Sequence, residues 1–135
     1  MARVDNIIFC LKIHNLEDQG VNAVTVLSAI TPEFIPGQFS FAVIISLLDL
    51  DYETNHVFSV EFLAPDGEKI INIENQPLPN QPIGDSNLPN EYKGINIAME
   101  WANVKLLSSG LYTLKFLYDG NEIKEKGIYI KGKNE

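Results

Sequence analysis

The feature that most constrains this chain is an alternation that ends in a tight turn. Tyr112, Leu114, Phe116 and Tyr118 recur at every second position, and Asp119-Gly120 follows at once. A period of two puts those four side chains on one face of a strand. Asp-Gly favours a two-residue hairpin turn, because a type I′ turn needs positive φ and glycine supplies it at little cost. Glu122 to Ile130 then runs back as the partner strand.

The same pattern recurs along the chain. Val4–Ile13 predicts a first strand, with Ile7, Phe9, Leu11 and Ile13 on one face and Ile8, Cys10 and Lys12 on the other. Asn22–Ile30 predicts a second. Thr31 to Gly37 holds two prolines, which push the residues before them away from helix. Gln38–Leu48 predicts a third strand, apolar on both faces through Phe41-Ala42-Val43-Ile44-Ile45, as suits a central strand covered on both sides. Val57–Ala64 predicts a fourth, with Phe58, Val60 and Phe62 inward. Pro65-Asp66-Gly67-Glu68 has turn chemistry and leads to a short fifth strand, Lys69–Ile73. Ile95, Ile97, Met99 and Trp101 alternate as a sixth, which places Trp101 in the core. Asn103 to Leu107 is expected to bend, with Leu106 and Leu107 tucked under the edge of the fold.

Between Glu74 and Lys93 four prolines and four asparagines interrupt any period. That segment reads as one long internal loop. Loops above about 12–15 residues are uncommon and often functional. The tail over 131–135 is expected to fray. No helical periodicity appears, and strands at intervals of roughly 8–12 residues indicate a sandwich or small barrel. The expectation is an all-β antiparallel sandwich of about seven to nine strands, one domain over residues 1–135.

Net charge is −8, unevenly spread. Residues 13–92 carry twelve acids and one base, Lys69, whereas residues 93–135 carry seven lysines and five acids. An acidic body repels phosphate backbones and anionic lipid surfaces, so neither nucleic acid nor membrane is an expected partner. One cysteine, Cys10, allows no intrachain disulfide and fits a reducing compartment. No stretch reaches the ~18 apolar residues of a membrane span. A cytoplasmic location is the expectation.

Ser108-Ser109-Gly110-Leu111-Tyr112 resembles the entry to the penultimate strand of immunoglobulin-like folds. There a Gly-x-Tyr pattern forms a tyrosine corner, which implies that the Tyr112 hydroxyl bonds back to upstream backbone. Leu114 stands where antibody domains carry a cysteine, so the resemblance is to a disulfide-free form. The whole chain also resembles an uncharacterised family of small bacterial immunoglobulin-like β-sandwich proteins. The resemblance rests on the strand at Val4 to Cys10, the connector at Pro32 to Pro36, the turns at Asp66-Gly67 and Asp119-Gly120, and Gly110-x-Tyr112. It implies a single-domain sandwich and no particular activity.

Candidate chemistry is sparse. Asp49, Asp51 and Glu53 stand two residues apart, and in an extended chain fall on one side. They are the candidate ligands for a hard cation such as Ca²⁺, which wants six to eight oxygens. A solvated turn crest explains them as well. His14 and His56 read as surface residues, and no Cys-x-x-Cys or His-x-x-x-His spacing supports zinc. Cys10 reads as a buried strand residue. No phosphate loop or serine elbow is present. No catalytic residue, cofactor or enzymatic activity is therefore expected. The expected role is a non-enzymatic binding or assembly module that contacts a protein partner through a strand edge or the 74–93 loop, with Pro77, Leu78, Pro79 and Tyr92 as candidate contacts. A small-ligand or Ca²⁺-binding sandwich using the 49–53 loop is the alternative, and self-association stays open.

Overall fold

The computed structural model describes residues 2–16, 20–51, 53–78 and 87–134. Nine strands follow one another: β1 (Arg3–Leu16), β2 (Gly20–Val26), β3 (Ala29–Ile30), β4 (Gly37–Leu48), β5 (Val57–Leu63), β6 (Lys69–Pro77), β7 (Gly94–Leu106), β8 (Gly110–Tyr118) and β9 (Asn121–Ile130). They form a four-stranded sheet in the order β2-β1-β4-β7 and a five-stranded sheet in the order β3-β9-β8-β5-β6. Pairing is antiparallel except between β3 and β9.

The two sheets bury their inward alternations against each other. Phe9, Phe41, Phe62, Trp101 and Tyr112 make a continuous aromatic column, with Phe41–Phe62 at 5.6 Å, Phe62–Tyr112 at 5.6 Å and Trp101 edge-on to Phe41 at 5.4 Å. Such pairs add to the transfer of apolar area out of water. Tyr112 is fully buried and donates its hydroxyl to the Ser108 carbonyl at 2.6 Å, which is the tyrosine corner. Asp119 and Gly120 both adopt positive φ, as the hairpin turn requires.

β4 is covered on both faces, as its unbroken apolar run predicts. Its inward residues join the main core. Ala42 and Ile44 face outward and form a second, smaller cluster with Cys10 and Ile13, sealed by Val21 and Ala23. The cover is the β1–β2 hairpin. β1 pairs with β4 only from Arg3 to Cys10; from Cys10 to Leu16 its partner is β2. The freed half bends over the outer face, bringing β2 toward β7 across two intervening strands.

Several expectations change. Ile13 joins the outer cluster rather than the face of Ile7 and Phe9, and Leu11 is exposed, because β1 leaves its sheet partner after Cys10. The strand expected over Asn22–Ile30 is two strands: the chain turns at Leu27-Ser28, just after Thr25 at φ 57°, and Ala29–Ile30 crosses to the other sheet. β6 does not stop at Ile73. Asn75, at φ 52°, makes a bulge whose N–H donates to Ser59 Oγ, and pairing resumes to Pro77. β7 likewise passes Asn103, at φ 53°, and runs to Leu106; Leu106 is buried but Leu107 is exposed. The tail does not fray before Asn134. Lys131 and Lys133 donate backbone N–H groups to Ile30 and Pro32 carbonyls, and Asn134 Nδ2 donates to the Glu33 carbonyl.

Candidate functional site

Two places bring chemistry together, and the first is at the end of the sandwich where the β4–β5 loop meets the β8–β9 turn. Register puts them side by side, because Phe58 pairs with Tyr118 and the chain on either side closes the end. Leu50 is buried in the main core and anchors the loop. Asp51 then folds the loop on itself, its Oδ1 accepting Glu53 N–H at 2.9 Å and its Oδ2 accepting the Thr54 hydroxyl at 2.7 Å. His56 stands over the Tyr118 ring at 5.0 Å. Its Nδ1 meets Asp119 Oδ2 at 2.5 Å, and its Nε2 meets Thr54 Oγ1 at 3.0 Å and Asp51 Oδ2 at 3.4 Å. Asp119 Oδ1 also accepts Val57 N–H at 3.0 Å.

Thr54, His56 and Asp119 lie in the order of a nucleophile, a base and an orienting acid. The proton count gives them a different role. Thr54 has one hydroxyl proton, and Asp51 takes it. With that proton given to Asp51, a protonated His56 donates from Nε2 to Thr54 and from Nδ1 to Asp119. An imidazole donating from both nitrogens is the cation. In its protonated form, which its raised pKa favours, His56 is an imidazolium clamped between two carboxylates. It ties the loop to the turn.

The electrostatics agree. The Asp119 hydrogen bond, helped by Asp51, holds the His56 pKa above its usual 6.5. Asp51 is held below 3.8, chiefly by the Thr54 hydroxyl, and Asp119 chiefly by the Val57 N–H. Burial raises the Tyr118 phenol. A raised histidine contributes stability that is complete below pH 6.5 and is lost as pH rises through the folded value. The lowered aspartates contribute stability that is present above 3.8 and lost as pH falls through theirs. The clamp is thus strongest between about pH 4 and 6.5. The melting temperature should fall by a few degrees between pH 6 and 8.5, and His56→Gln should flatten that fall. An equally steep fall in the variant would show that His56 is not its source.

The candidate cation ligands do not converge. Asp51 is spent on its own loop, and Asp49 adopts φ 60°. Among the described residues no group of three or more His, Cys, Asp and Glu side chains is placed to hold a metal ion. One loop supplies too few oxygens for a hard cation, and Glu17, Asp18 and Asp85, any of which could add to it, lie outside the described residues. Cys10 is fully buried, and burial raises its thiol pKa, so little thiolate forms. Among the partner-contact candidates, Leu78 is in the main core and its N–H donates to the His56 carbonyl. It is not available to a partner. Pro77 ends β6, Tyr92 is exposed on a 3-10 turn over Asn90–Tyr92, and Pro79 lies outside the described residues.

The second place is the open side of the sandwich. β6 ends one sheet and β7 ends the other, and among the described residues neither has a strand beyond it. Between them runs a groove of about 490 Å³ lined by Ile70, Ile71, Trp101, Val104 and the flanking Glu100 and Lys105. The Trp101 ring meets Phe41 edge-on in the core, and the residue also lines this groove. Its indole Nε1–H is buried and has no acceptor among the described residues. Sequence alternation places Trp101 inward but gives no sign of the orphaned donor. His56 was missed because its nearest carboxylate, Asp119, is distant in sequence, and only the β5–β8 register brings it there.

Residues 6–131 match the model of a family of unknown function, DUF6941. No curated protein matches the chain. Among solved structures, an immunoglobulin-like protein from Pseudomonas aeruginosa superposes with a TM-score of 0.52 over 96% of each chain at 12% identity. At that identity the likeness is one of fold, an immunoglobulin-like β-sandwich.

Proposed function

The chain belongs to this family of unknown function, and from that premise we propose that it is a binding module that takes up an extended segment of a partner protein along the β6–β7 side. The observation that carries this is the buried Trp101 N–H without an acceptor. A buried unpaired donor costs about 1–3 kcal/mol, and here it belongs to a residue that lines a groove between two strands with no sheet neighbour beyond them among the described residues. An extended peptide supplies what is missing. Its backbone pairs with the edge of β7, one of its carbonyls reaches the indole, and alternate apolar side chains pack on Ile71 and Val104. The acidic surface favours a segment with basic flanks. Nothing in this mode requires a nucleophile, a metal or a cofactor.

A peptide library displayed on phage and panned on the protein tests this. Enriched sequences should alternate apolar residues, and synthetic copies should change the fluorescence of Trp101, the one tryptophan. Trp101→Phe keeps a six-membered aromatic ring and removes the donor with the pyrrole half of the indole. It should weaken those peptides about tenfold, the worth of one hydrogen bond of ~1.4 kcal/mol. Peptides that bind Trp101→Phe as tightly as the native chain would sink the groove as the site.

A further inference from the structure

The side of the sandwich away from the β6–β7 groove is closed in a different way. β2 pairs with β1 only from Cys10 onward, and β3 pairs with β9 only at Tyr129 and Ile130. Among the described residues, β1 is therefore the margin of its sheet over residues 3–9, and β9 the margin of the other over 121–128. The two half-edges come close to each other.

Alternate carbonyls of a strand point to the same side. On the outer side of β1 the Phe9 carbonyl accepts the Leu27 N–H at 2.7 Å. The Ile7 carbonyl is the next acceptor along that edge. It accepts the Lys126 ammonium, which reaches it from the other sheet. Lys126 stands opposite Leu114, a fully buried core residue, so register places it on the inward face of β9. Its Nζ lies 5.9 Å from the centroid of the Phe9 ring. Lys124, opposite the fully buried Phe116, shares that inward face. Inward-pointing charges on an edge strand are a device against the addition of further strands. The β6–β7 side has no such charge at Ile71, Trp101 and Val104, which line its groove.

We propose that Lys126 is a lock on the β1 edge. Its ammonium holds the carbonyl from which pairing with a further strand would start, and so keeps the 3–9 segment of a second copy from adding to its own counterpart. That segment is the strand the lock excludes, because antiparallel pairing of a segment with itself is two-fold symmetric and closes after two chains. It is also apolar at Val4, Ile7, Ile8 and Phe9, the kind of edge that pairs when uncovered. Peptide capture in the β6–β7 groove uses the other side of the sandwich, so the lock and that capture can fail independently.

Sedimentation velocity of the full chain and three variants reads this out. The native chain should sediment at its 15.1 kDa mass. Lys126→Met keeps an unbranched stem against Phe9 and removes the donor. It should fold, since the residue is exposed at its tip, and should form a species of twice the chain mass, self-associating at least tenfold more tightly than the native chain. Lys126→Arg keeps a donor and should stay monomeric. Lys131→Met removes the same charge from the exposed tail and should stay monomeric too. Amide exchange over residues 3–9 should slow in Lys126→Met as the dimer fills. A Lys126→Met chain that melts lower yet stays monomeric overturns the proposal, because Lys126 would then only tie the sheets together. So does a dimer whose 3–9 amides exchange as in the monomer, since it would use another surface. Association of Lys126→Arg or Lys131→Met as tight as that of Lys126→Met overturns it as well.

Discussion

Phe62→Ala should remove about 3–5 kcal/mol of folding stability, the largest loss expected from any single truncation in this chain. Phe62 is fully buried at the centre of β5, and its ring is within 6.2 Å of Phe9, Phe41, Trp101 and Tyr112. It therefore joins both sheets. Four rings anchored on four different strands cannot all close on the gap, so the site keeps most of its cavity. The cavity term then adds to the lost transfer free energy. For a domain of this size the loss corresponds to roughly 12–20 °C in melting temperature. Urea unfolding followed by Trp101 fluorescence checks it. A loss below about 1.5 kcal/mol would mean that the column repacks and is not the keystone of the core. Because Phe62 supports Trp101 directly, the same variant should also disturb the β6–β7 groove.

Gly94→Ala should be nearly as damaging for a different reason. Gly94 opens β7 opposite Leu48, the last residue of β4. A Cβ there would lie 1.8 Å from the Leu47 carbonyl oxygen and 2.8 Å from Leu48 Cδ2. The oxygen is backbone and cannot rotate away, so the strand pair must move apart. The shift would also pull on the neighbouring Asp49 N–H, which donates to the Lys93 carbonyl at 3.0 Å. Overpacking of this kind costs about 3 kcal/mol. Gly67→Ala makes the contrast. Gly67 has φ +91° and open space around it, so alanine there pays only the left-handed backbone penalty, about 1–2 kcal/mol. Parallel thermal melts of the two variants rank them. Equal losses would show that β7 can slide to accommodate the methyl group.

The elements written in alternation were legible from the sequence. β4, β5, β8 and the β8–β9 turn lie where Phe41 to Ile45, Phe58 to Phe62, Tyr112 to Tyr118 and Asp119-Gly120 put them. Tyr112 makes the hydrogen bond its motif implies. What failed were the interruptions. Thr25, Asn75 and Asn103 each take a left-handed φ inside or beside a strand. A bulge of this kind flips the alternation without ending the pairing. Sequence period breaks at such a residue whether the strand stops, as the reading of β6 and β7 assumed, or continues. The hairpin was invisible for another reason. A period of two says which residues share a face, but not that half of β1 leaves one sheet to roof it. The His56 clamp was beyond reach because it depends on pairing between strands far apart in the chain. The Trp101 donor was half legible, its depth from the alternation and its missing acceptor only from the assembled edges.

That roof has a consequence for how the molecule comes apart. Residues 11–16 and 20–26 pair mainly with one another and rest on the small cluster of Ile13, Val21 and Ala23 over Cys10, Ala42 and Ile44. The main core does not depend on them. Segments that are locally paired and lightly packed open as units below the global unfolding free energy. The hairpin can therefore lift while the main core holds, and the Cys10 thiol sealed beneath it would meet solvent only then.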